Sequence, residues 1–66
     1  MKSYRIYIIE PDGRLQLGEA FAATDDKAAA ARAEEVAQKG RAGELWEGGR
    51  LVGRVSPDGV FESGAG

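Results

Sequence analysis

Sixty-six residues with no Cys and no His make one domain, near the size at which a single apolar core barely offsets chain entropy, and they exclude disulfides and the usual zinc ligand sets. Nine Lys and Arg against eleven Asp and Glu leave a net charge of −2, so no long-range positive field draws the chain to phosphate backbones or anionic membranes. The absence of Cys fits a reducing compartment, and the apolar run after Arg5 is too short for a signal-peptide core or a membrane span, which points to the cytoplasm.

Residues 4–9, Tyr-Arg-Ile-Tyr-Ile-Ile, have the aromatic and β-branched composition of a well-paired strand. Glu10-Pro11-Asp12-Gly13-Arg14 then predicts a turn: Pro presets φ, Asp suits the second corner and Gly takes the left-handed position. A second strand follows over residues 14–22. Two registers are open. If Glu10 pairs with Arg14 around a Gly13 bulge, Tyr7 and Ile9 share a face with Leu15 and Leu17. If the loop is one residue longer, Ile6 and Ile8 take that place. In both cases the first strand carries large apolar groups on both sides.

Thr24 or Asp25 caps a helix whose acidic start suits the positive end of the helix dipole, and Gly40 ends it. Ala29, Ala33, Val36 and Ala37 form a narrow stripe of small side chains, with Lys27, Glu34 and Gln38 opposite, so the helix can lie close against a sheet. Glu35 with Lys39 adds an i,i+4 pair.

Residues 44–55 read as a tight hairpin around Gly48-Gly49, with a type I′ turn in which both glycines take φ > 0. Glu47 then faces Arg50, Trp46 faces Leu51, and Leu45 faces Val52. The bulkier set, Trp46, Leu51 and Val55, is expected beneath the helix, leaving Leu45 and Val52 on the other side. Ser56-Pro57-Asp58-Gly59 predicts another turn, residues 60–61 a short extra strand, and residues 62–66 a disordered tail.

The elements give an α+β fold of ββαββ order, in residues 1–56: a four-stranded antiparallel sheet of order 2-1-3-4 with one helix on one face, and residues 57–66 as turn and tail. A right-handed crossover through the helix places the third strand beside the first. The second face keeps apolar residues uncovered, the mark of an interaction surface, and a homodimer through the sheet face or an edge strand is expected.

No residue pattern supports catalysis, a cofactor or a metal. Glu44 and Glu47 lie three apart on a strand and point to opposite faces. Gly48, Gly49 and Gly53 have no following helix to make a phosphate cradle, Asp25 and Asp26 are explained by capping, and no hydroxyl has a His to activate it. The chain is therefore read as a non-enzymatic protein-interaction module, with Tyr7, Leu45, Trp46, Arg50, Val52 and Arg54 as its candidate contact residues. The alternative is a nucleic-acid-binding module using Arg41, Arg50 and Arg54 with Tyr7 and Trp46, against which the net charge argues.

Tyr4-Arg5-Ile6-Tyr7, Asp12-Gly13, Thr24-Asp25-Asp26-Lys27-Ala28, Glu44-Leu45-Trp46 and Arg50-Leu51-Val52 together resemble a group of short hypothetical bacterial proteins. These share a Y-R-[VI]-Y strand, a D-G turn, an acidic cap before an Ala-rich helix and an E-L-W hairpin. The resemblance covers about residues 3–55 and implies a ββαββ fold and no activity.

Overall fold

The computed structural model describes residues 1–37 and 40–64. In chain order it contains β1 Lys2–Ile9, β2 Leu15–Ala23, α1 Asp26–Ala37, β3 Ala42–Glu47, β4 Arg50–Val55 and β5 Phe61–Ser63. The strands form one antiparallel sheet of order β2-β1-β3-β4-β5, with α1 on one face. This matches the expected 2-1-3-4 arrangement, and the short extra strand expected over residues 60–61 is β5, at 61–63. Glu62 and Ser63, expected in a disordered tail, pair with Arg54 and Gly53 of β4. The expected pair of Glu35 with Lys39, the place of Gln38, the Ala37 side chain and the last two tail residues lie outside the described residues.

Pro-Asp-Gly occurs twice, and both copies close a hairpin in the same way. Gly13 N–H donates to the Glu10 carbonyl and Glu10 N–H to the Arg14 carbonyl, both at 2.8 Å; Gly59 with Ser56 and Ser56 with Val60 repeat this at 2.9 Å. Gly13 (φ 89°) and Gly59 (φ 92°) take the left-handed position that follows such a turn. The first loop selects between the two open registers: Ile9 lies opposite Leu15 and Tyr7 opposite Leu17, which leaves Ile6 and Ile8 on the other face. The β3–β4 turn differs from expectation. Only Gly48 of its glycine pair has positive φ, at 57°, the pattern of a type II′ turn.

Asp25 is the helix cap: its Oδ1 accepts the Ala28 N–H at 2.9 Å and its carbonyl the Ala29 N–H at 3.1 Å. The buried core is Tyr4, Ile6, Ala23, Ala29, Ala33, Leu45, Val52 and Val55, flanked by Phe21, Val36 and Phe61. Tyr4 stacks on Phe21 (5.8 Å between centroids, 19° between planes), and the Arg32 guanidinium lies over the other aromatic partner, Phe21, at 5.6 Å while binding Glu19.

The structure reverses the expected faces of the β3–β4 hairpin. Leu45 and Val52 are core, and Trp46 and Leu51 lie on the side away from the helix; Val55 alone of the hairpin's expected inner set is in the core as expected. Charge decides this more than size. Trp46 shares its face with Glu44 and with Arg5, its β1 partner, so turning Trp46 inward would carry two charges under the helix. Turning Leu45 inward brings Glu47 instead, at the border of the sheet, where Arg50 meets it. Val52 is the extra residue of a bulge between Leu45 and Trp46, so Leu45 faces Gly53, and Val52 and Val55 both reach the core although they are three apart.

Candidate functional site

Strand alternation gathers Tyr7 and Ile9 of β1, Leu15 and Leu17 of β2, Trp46 of β3 and Leu51 of β4 on the side of the sheet that carries no helix. Leu15 and Leu17 are 51% and 56% exposed, and the other four are half-buried. At the middle sits Glu44, across from Tyr7 on one side and Arg54 on the other. Its two oxygens are both engaged. Trp46 Nε1–H donates to Oε1 at 3.2 Å, and Arg54 Nε–H donates to Oε2 at 3.1 Å. The Glu44 side chain is only 12% exposed. The carboxylate thus holds the indole against the strand and is paired with the guanidinium, which leaves an apolar and aromatic patch around a compensated carboxylate, with the exposed Arg5 on the same face beside Trp46.

Of the six expected contact residues, the structure brings Tyr7, Trp46 and Arg54 together on this face. Leu45 and Val52 are in the core and cannot meet a partner there. Arg50 lies on the helix side of the hairpin and is held by carboxylates: Nη1 and Nη2 bind the two Asp26 oxygens at 3.1 and 2.9 Å, and Nη2 also binds Glu47. The Tyr4 hydroxyl donates to Asp26 Oδ1 at 2.8 Å. This cluster ties the first turn of α1 to the β3–β4 turn. The Arg50 guanidinium, then the Tyr4 hydroxyl, hold the Asp26 carboxyl below the usual carboxylate range. Burial, with Asp26 beside it, pushes the Tyr4 phenol up to about 12, and Asp26 and then Glu47 hold the Arg50 proton more tightly still.

The set expected for nucleic acid is therefore divided. Arg50 belongs to the helix-side cluster, Arg54 is paired with Glu44, and Arg41 stands exposed before β3. Four residues of the patch, Ile9, Leu15, Leu17 and Leu51, were not among the expected contacts. Their signal is in the chain: Leu15-Gln16-Leu17 alternates directly after a Pro-Asp-Gly turn, so whichever way Tyr7 and Ile9 face, one residue class is set beside them. A concavity of about 520 Å³ lies between the strand ends, lined by Ile8, Ile9, Glu10, Pro11 and Arg41, and so meets the patch at Ile9. Among the described residues no helix is long and apolar enough to cross a membrane, and no three of His, Cys, Asp and Glu come together. No protein-family model, no curated protein and no solved structure matches this chain.

Proposed function

We propose that this chain is a non-enzymatic, cofactor-free protein-interaction module of the cytoplasm that acts as a homodimer, with the helix-free side of the sheet as its contact surface. One observation carries the reading: Tyr7, Ile9, Leu15, Leu17, Trp46 and Leu51 form a single uncovered patch around a carboxylate whose charge is already compensated. The apolar part of such a surface gains by losing water, and Glu44 keeps its own partners within it. The molecule extends 32 × 23 Å in its two longer directions, about 740 Å², close to the ~800 Å² that each partner contributes to a standard interface. Sedimentation equilibrium from low to high micromolar concentration tests the reading. Masses approaching two chains at the upper end support it; a monomer throughout, folded and melting cooperatively, overturns it.

A further inference from the structure

The two borders of the sheet are unequal. β5 has three residues and β2 has nine. Between Leu15 and Ala23 there is no Lys, Arg or Pro, the residues that most often protect an open strand. The bonded pair Glu10 and Arg14 fixes which groups of β2 point outward. Bonded and non-bonded pairs alternate along an antiparallel ladder, so Leu15 and Leu17 form the non-bonded pairs with β1, and their N–H and C=O groups face away from the sheet. These are the two leucines left half exposed, and the helix does not cover this end of β2: Gln16 and Gly18 are exposed as well.

We propose that two copies of this chain join by antiparallel pairing of residues 15–17 of β2 about a two-fold axis at Gln16, making one continuous ten-stranded sheet. The inference rests on the homodimer reading above but moves its contact from the helix-free face to the β2 edge. The axis makes Leu15 a bonded pair with the partner's Leu17, and the reverse, so all four outward groups on each strand find partners, while the four leucines meet on the helix-free face. Gln16 meets the partner's Gln16 on the helix side. An axis farther along at Phe21 would instead bring together two Arg32 guanidinium groups, which lie over that ring. Pairing like with like about a two-fold axis closes the assembly at two copies.

The test is sedimentation equilibrium on four variants of the full chain, each checked for native circular dichroism. Gln16→Lys and Gln16→Glu place like charges across the axis and are expected to weaken the dimer about tenfold each, while their equimolar mixture regains wild-type association. Leu17→Pro removes an outward N–H without taking a bond from β1 and is expected to yield a folded monomer. Dimers of unchanged strength in both Gln16 variants, or a mixture no stronger than either alone, overturn the seam. If Trp46→Lys abolishes a dimer that survives all of these, the seam fails and the homodimer stands; a wild-type chain that stays monomeric overturns both.

Discussion

Leu45 and Leu17 allow one substitution to be made at two depths of the same sheet. Leu45 is 1% exposed between Ile6 and Gly53, and Leu17 is 56% exposed on the other face. Leu→Ala at a fully buried site costs about 2–5 kcal/mol, from lost transfer energy plus the cavity left behind. A chain of 66 residues has a total stability of about 3–10 kcal/mol. Leu45→Ala therefore removes about a fifth or more of it and lowers Tm by roughly 8–40 °C at about 4–8 °C per kcal/mol. At Leu17 less than half of the side chain is out of water and no cavity forms, so the cost is about 1 kcal/mol and the Tm shift roughly 4–8 °C. Thermal and urea unfolding followed by circular dichroism, at low micromolar concentration where dimer formation contributes little, separates the two. Equal losses, or a Leu45→Ala variant that melts within a few degrees of wild type, would refute the assignment of Leu45 to the core.

Two further outcomes follow from the packing and the charge cluster. A Cβ at Gly53 would stand 2.4 Å from the Glu62 carbonyl and from the Phe61 ring, so Gly53→Ala should displace β5 at a cost of about 1–3 kcal/mol; hydrogen exchange should show lost protection around residues 61–63 with β1 and β3 intact. Asp26 has a folded pKa below its unfolded value, so its stabilising contribution is full above about pH 4 and is lost as the pH falls. Tyr4, pushed up to about 12, contributes fully below about pH 10 and loses that contribution as the pH rises toward 12. Urea midpoints across pH should therefore fall less steeply in acid for Asp26→Asn and less steeply in alkali for Tyr4→Phe.

Local chemistry made much of the architecture legible. Pro-Asp-Gly states its own turn, Asp25 its own cap, and the element order leads to the 2-1-3-4 arrangement. The candidate site was half legible, because alternation along a strand says which residues go together and not which set goes inward. For β3 that choice was made on bulk, and Trp46 outweighs Leu45. What decides it is the company each residue keeps: Trp46 travels with Glu44 and Arg5, Leu45 with Gly43 and Ile6. That test is available from the residue order once strand β3 is set beside β1. The Val52 bulge is not, since one extra residue in β4 depends on how the completed strands twist together. The fifth strand depends on long-range packing too, because the Phe61 ring lies where a side chain at Gly53 would stand.

β5 covers the outer border of β4 with three residues. In a chain ending at Ser56, that border would be six residues long and open, opposite the nine of β2. Strands from the two borders of different copies could then pair head to tail, and such contacts repeat without limit instead of closing. The short last strand adds little buried surface, but if copies join along β2 as proposed, it would favour a closed pair over a chain that polymerises into ribbons.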